Sequence, residues 1–251
     1  QSTYSGDTVL GVPSVIPQGS SQGTAGNPTS GPFGTGRLIL DGPQIRATTG
    51  NDNLIHNPLV LRSDTRVFNA TNAKRLLFTG PVTLENGTRV ITHDTTADTV
   101  FSGAIGDEGN GHGLTIAGTG SGSVVMEAVN TYTGGTLVTG SGLHLASTAS
   151  LAAGSDLTLN GAAARLSGTG SVLGAASVLS GQLMPGEMAG TEAGLLSFGD
   201  SLLLDGGTTL LNIDGSARGA TGDYDAIDVA SQLTYGGSLS LLFNTTITES
   251  D

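Results

Sequence analysis

Cysteine is absent from all 251 residues, which removes disulfide staples and thiol chemistry together. Tryptophan is absent too, and aromatics make up only 4% of the chain, so a core must be built mainly from aliphatic side chains. Lysine occurs once, at Lys74, and 21 acidic residues outnumber 9 basic ones to give a net charge of −12. That balance argues against nucleic acid, which needs a basic stripe, and against an anionic membrane surface. No apolar run reaches the roughly 18 residues of a membrane helix. Nor is there a series of roughly ten-residue amphipathic strands with aromatic girdles, so direct membrane insertion is not expected. No helical period holds over a window of about 11 residues.

Glycine is what the chain has in excess. Its 41 glycines are about twice the ordinary usage of roughly 7%, without a collagen period. Glycine supplies positive φ at turns, and many turns imply many short elements. Strand signals recur about every 8–12 residues, as in an all-β chain. They include Arg37–Leu40, Leu59–Arg62, Arg75–Phe78, Val82–Leu84, Thr88–Thr92, Leu114–Ala117, Leu143–Ala146, Leu157–Leu159, Thr208–Ile213 and Ser238–Phe243. Alternation in Leu143-His144-Leu145 and Leu157-Thr158-Leu159 puts one side chain inward and the next outward. The apolar phase predicts a core of Leu38, Leu40, Leu77, Leu114, Ile116, Leu143, Leu145, Leu157, Leu159, Leu202, Leu204, Leu210 and Leu239. Asn86-Gly87 is the best hairpin candidate, and one such turn among a dozen strands favours stacked coils over meanders. The expected fold is an all-β, right-handed parallel β-helix, a solenoid forming a single elongated domain. About 20–25 residues per coil would give some ten coils and a rod on the order of 50 Å long.

One segment is repeated. Asn130-Thr131-Tyr132-Thr133-Gly134-Gly135-Thr136-Leu137-Val138 echoes Ser2-Thr3-Tyr4-Ser5-Gly6-Asp7-Thr8-Val9-Leu10, with Tyr132 aligned on Tyr4. Each copy is followed by a small-residue turn and a strand, at 31–40 and at 147–159. A repeated turn-plus-strand unit marks a solenoid. The Tyr-Thr-Gly-Gly-Thr unit resembles the passenger-associated strand repeat of bacterial autotransporters. The sequences Gly181-Gln182-Leu183-Met184-Pro185-Gly186, 194–200, 222–229 and 236–239 resemble the last coils of such passenger domains. The resemblance covers most of the chain, most clearly 131–243. It implies a β-helix displayed outside the cell, extracellular or on the bacterial surface. It also implies that the terminal coils help the rest to fold.

The chain reads as one continuous β-helix over 1–251. Residues 11–35, with Pro13, Pro17, Pro28 and Pro32 among Gly, Ser and Gln, read as an extruded loop. Residues 131–180 hold the passenger-associated repeat, and 181–251 hold the terminal coils. There the aromatic Phe198, Tyr224, Tyr235 and Phe243 are expected to add burial, making 181–243 the most self-sufficient part. No secretory signal opens the sequence at Gln1, which is expected of an excerpt from a longer polypeptide.

Chemistry-bearing residues are sparse. Gly111-His112-Gly113 after Asp107-Glu108 resembles one motif of polygalacturonases, whose other motifs are missing, so His112 reads as a turn residue. His56, His93 and His144 are isolated, and none forms a metal-ligand pair. No Gly-x-Ser-x-Gly elbow is present. No catalytic residue is assigned and no enzyme activity is expected. Calcium is the one cofactor considered: Asp223, Asp225 and Asp228 alternate closely enough to offer carboxylates to an ion. The competing reading is a turn whose aspartates accept backbone N–H groups. Asn69-Ala70-Thr71, Asn86-Gly87-Thr88 and Asn244-Thr245-Thr246 match the N-glycosylation triplet by chance in a Thr-rich chain. The expected role is a non-enzymatic surface rod, stalk or adhesin-like module that presents loops to a host or matrix glycan or protein. The alternative is a filament subunit associating with itself, end to end or side by side. A polysaccharide-acting β-helix enzyme comes third.

Overall fold

The computed structural model describes residues 1–11, 14–42, 44–69, 73–186, 193–214 and 224–243. These residues contain short β-strands of two to six residues and no helix. Almost all the strands are parallel and stacked, so the chain is a parallel β-solenoid, one elongated domain. Glycines and short polar turns end each apolar run before a helical period can develop, and each run finds its partner one coil away rather than beside itself in sequence.

The solenoid has three faces. The first begins with Thr8–Leu10, Leu38–Leu40, Leu59–Leu61, Val82–Leu84 and Ile105–Gly106, and resumes with Ser150–Leu151, Ser171–Val172, Leu195–Phe198 and Ala226–Val229. The second runs through nine strands from Gln44–Arg46 to Leu233–Tyr235, and the third through nine from Asn53–Ile55 to Ser238–Phe243. The coils are short and nearly even at first, where Leu38 pairs with Leu59 and Leu59 with Val82. They lengthen near the C-terminal end, where Ala176 pairs with Leu202 and Leu202 with Leu233.

Inward side chains form continuous aliphatic columns along the axis. Ten of the thirteen expected core residues are buried. Three are not. Leu77 is half-buried because Leu76 and Phe78 point inward in its place, with Phe78 stacked on Phe101 at 5.4 Å between ring centroids. In the continuous apolar run Leu76–Phe78 alternation alone cannot choose a phase; the ring stack one coil away does. Leu210 is half-buried because Thr209 and Asn212 take the inward positions of Thr208–Ile213. Leu239 is 50% exposed because no described strand lies beyond Ser238–Phe243. The same open layer exposes Tyr235 and Phe243, so of the four expected C-terminal aromatics only Phe198 is fully buried, with Tyr224 half-buried.

Residues 11–35 differ from an extruded loop. Gln22–Thr24 and Asn27–Ser30 form an antiparallel hairpin. It lies against the open edge of Asn53–Ile55: the Ser21 amide donates to Leu54 O at 2.7 Å, and the Gly26 amide to His56 O at 2.7 Å. The Ser20 and Ser21 hydroxyls accept from the Leu54 and His56 amides. Proline lacks a ladder donor, but Pro28 sits on a two-stranded ribbon where one edge needs none. Pro13 lies outside the described residues. Asn86-Gly87 closes no hairpin. Both residues take positive φ (61° and 111°), yet the strands they join, Val82–Leu84 and Arg89–Asp94, belong to different faces. The local turn chemistry holds, but it makes a corner.

The repeated segment marks a seam. Between Ile105–Gly106 and Ser150–Leu151 the first face lacks a regular strand, and Asn130 fills the gap. Its Oδ1 accepts from the Ile105 amide at 3.0 Å, and its Nδ2 donates to Ser150 O at 3.0 Å, so the side chain bridges the two neighbouring coils. Tyr132 is fully buried, and its hydroxyl lies 2.7 Å from Thr136 Oγ1.

Candidate functional site

Two places gather polar groups: the loop over 107–113 with its neighbours, and a cleft near the N-terminal end.

Asp107 begins the loop that carries His112. The fold buries its carboxylate under the seam. Oδ2 accepts from the Thr133 hydroxyl (2.9 Å), the Thr133 amide (3.2 Å) and the His112 amide (3.0 Å), and Oδ1 accepts from the Gly109 amide (3.0 Å). Burial opposes the charged form, but the Thr133 donors, then Gly109 and His112, outweigh it and hold the pKa down to about 2. Glu108 has φ 55°, the left-handed conformation a tight loop requires. A carboxylate engaged by four donors is an anchor; it ties the loop to the repeat one coil on. His112 is the turn residue its glycine neighbours indicate.

Two of the calcium candidates, Asp225 and Asp228, lie among the described residues. Asp225 is buried and accepts from the Gly194 amide at 2.7 Å, the Asn212 amide at 2.8 Å and Asn212 Nδ2 at 3.1 Å. Burial raises its pKa, and these donors only partly offset that. This is the turn-anchoring role weighed against calcium. Asp228 lies on Ala226–Val229 in register with Ser197, and Asp223 lies outside the described residues. Among the described residues no three His, Cys, Asp or Glu side chains converge as a metal group.

The histidines stay apart. His56 Nδ1 meets Thr79 Oγ1 at 2.7 Å, and His144 Nδ1 meets Ser167 Oγ at 3.0 Å. His93 is different. It points inward from Arg89–Asp94, is fully buried, and meets Ser141 Oγ at 2.9 Å, two coils along. Ser141 Oγ donates to Gly122 O at 3.0 Å, which leaves its lone pairs to accept from a His93 Nδ1–H. Glycines at the corner, Gly118 and Gly120, let the next coil approach the 93–95 backbone closely: a Cβ on either would strike it at under 3 Å. Burial lowers the His93 pKa to about 4, against the opposing pull of Asp98 and Asp94. The pair has the residue types of a nucleophile and its base, but both side chains are sealed from solvent and the serine proton is committed to a carbonyl. His93 stands isolated along the chain, which carried no signal of this contact; the glycine-rich corner at 118–122 was its only trace.

A cleft of about 620 Å³ lies between the segment 16–20 and the loop 46–53. One wall is set by Val15, whose amide donates to Gln44 O and whose carbonyl accepts from the Arg46 amide. Asn53 Nδ2 donates to Gly19 O at 3.2 Å, tying the two walls together, and Thr48 Oγ1 donates to Asn53 Oδ1 at 2.9 Å within the 46–53 loop. At the back, Asn69 Nδ2 donates to Ala47 O at 2.7 Å. No sequence motif pointed here.

No protein-family model, curated protein or solved structure matches this chain.

Proposed function

We propose that this chain is the stiff, displayed section of a bacterial surface or secreted protein, an autotransporter-passenger-like stalk or adhesin module that acts by presentation rather than catalysis. The observation that carries the reading is the parallel ladder: two nine-strand sheets in continuous register over one aliphatic core. Such a ladder resists bending and carries its sequence variety on outward turns, where binding surfaces of solenoids lie. The acidic, cysteine-free composition and the resemblance of 131–243 to passenger coils support an extracellular place. The test is to express the full reading frame in a Gram-negative host with an epitope inserted in the 107–113 loop. Labelling of intact cells, or epitope in the medium, is expected; retention in the cytoplasm overturns the reading.

A second reading, self-association, is favoured by the open C-terminal layer. All six residues of Ser238–Phe243 are exposed, Leu241, Leu242 and Phe243 among them, and residues 229–243 carry no charge. An uncharged apolar strand edge on a molecule of net charge −12 is where copies meet with least repulsion. Light scattering of the purified chain decides it: dimers or filaments abolished by Leu241→Lys support the reading, and a monomer at all concentrations removes it.

A further inference from the structure

Charge is segregated along the rod. Residues 37–89 hold seven basic and four acidic side chains, a net of +3. Residues 90–251 hold two basic and sixteen acidic, a net of −14. Most of the described basic side chains are neutralised across coils: Arg37 by Asp7, Arg62 by Glu85, Arg66 by Asp94, Arg75 by Asp52 and Arg89 by Asp64, while Arg165 reaches backbone carbonyls. Among the described residues, only Arg46 and Lys74 have basic side chains with no ion pair or hydrogen bond. These two are neighbours in space. Arg46 lines the 620 Å³ cleft, and the Lys74 amide donates to the carbonyl of Thr48, a residue of the same lining. The acid of that cleft, Asp52, is already engaged by the Arg75 guanidinium at 2.9 Å and accepts its amide at 2.8 Å. The cleft is therefore a cationic, laced, solvent-facing hollow on an otherwise acidic molecule.

We propose that this cleft binds an acidic saccharide. Arg46 takes a uronate carboxylate through its planar fork, Lys74 adds field at the rim, and Gln18, Thr49 and Asn51 meet ring hydroxyls. A saccharide fits better than a peptide because the lining is mostly amides and hydroxyls and has few apolar side chains to seat anchors. It fits better than nucleic acid because the lining holds no aromatic on which a base could stack. The inference rests on the display reading only in that the cleft must face the exterior. The experiment uses the purified chain, so its failure leaves the cell-labelling test of display untouched.

Calorimetry with trigalacturonate at low salt is the test, with maltotriose as the neutral probe and hexaglutamate as the acidic peptide. Trigalacturonate is expected to bind at least tenfold tighter than either, and more weakly as salt screens the charge. Arg46→Ala is expected to lower affinity at least tenfold with unchanged melting, since its exposed side chain has no partner. Arg37→Ala makes the same change in net charge away from the cleft and is expected to leave affinity within twofold. Equal binding of maltotriose or of hexaglutamate overturns the proposal. So does an Arg46→Ala variant that binds like the parent, or equal losses in Arg46→Ala and Arg37→Ala, which would mean a diffuse field and no site.

Discussion

The two copies of the repeated segment have nearly the same local structure and different surroundings. In both, a tyrosine hydroxyl meets the hydroxyl of a threonine four residues on: Tyr132 with Thr136, Tyr4 with Thr8. In both, that threonine opens a strand, Thr136–Val138 or Thr8–Leu10. Yet Tyr132 is fully buried and Tyr4 is 47% exposed. The central copy has coils on either side, and Asn130 stitches two of them together. At the equivalent position of the first copy stands Ser2, which exchanges backbone hydrogen bonds with Gly31 and bridges no pair of coils. Even the face differs, the first for Thr8–Leu10 and the second for Thr136–Val138. A short sequence fixes its own hydrogen bonds; the neighbouring coils set how much those bonds are worth.

Truncating both tyrosines puts this contrast under the most severe test. Tyr132→Ala is expected to cost about 3–5 kcal/mol, as for other large buried side chains, and Tyr4→Ala below about 1 kcal/mol. Equal losses in urea unfolding would show that the copies are equivalent after all. Alkali tests the same site differently. Burial raises the Tyr132 pKa to about 12, so the folded state resists ionisation; stability is intact below about pH 10 and falls as pH rises toward 12. Tyr132→Phe removes that alkaline loss.

The next effect belongs to the buried His93. His93 is neutral in the fold, with a pKa of about 4 against 6.5 when unfolded, so its contribution is complete above pH 6.5 and drains away as pH falls toward 4. The loss amounts to about 3 kcal/mol. His93→Gln is expected to flatten the stability profile between pH 6.5 and 4; an acid loss that persists unchanged in that variant would show that another group carries it.

Asp107 comes after that. Its pKa is held below the ordinary carboxylate value, so its contribution is present above pH 4 and disappears as pH falls toward 2. Asp107→Ala leaves the Thr133 donors unmet and is expected to cost about 1–3 kcal/mol at neutral pH. Asp7→Ala, at the first copy, removes an exposed ion pair with Arg37 and one bond from the Arg37 amide, and is expected to cost less than Asp107→Ala. The smallest effect concerns order of cleavage. With the hairpin 22–30 seated on Asn53–Ile55, limited proteolysis is expected to spare it and to trim the exposed layer 233–243 first. First cuts within 22–30 would return that segment to the loop its prolines indicate.

Fold class was legible in the chain before any coil was built. Glycine excess, strand runs of three or four residues and the Tyr4/Tyr132 repeat were enough for a parallel solenoid, because side-chain alternation and turn chemistry are local. Locality also explains the successes at Leu143, Leu145, Leu157 and Leu159, where a polar residue between two leucines fixes the phase. Packing between coils settled the rest. Leu76, rather than Leu77, faces the core because Phe78 stacks on Phe101, its partner in the next coil. Asn86-Gly87 turns a corner because its strands find partners in other coils. The 22–30 hairpin exists because the edge of Asn53–Ile55 offers it backbone partners. His93 reaches Ser141 two coils away, and Arg46 is left unpaired beside a cleft whose walls come from 16–20 and 46–53. Each depends on which residues stack one or two coils apart, and that spacing varies from coil to coil, so no local pattern encodes it.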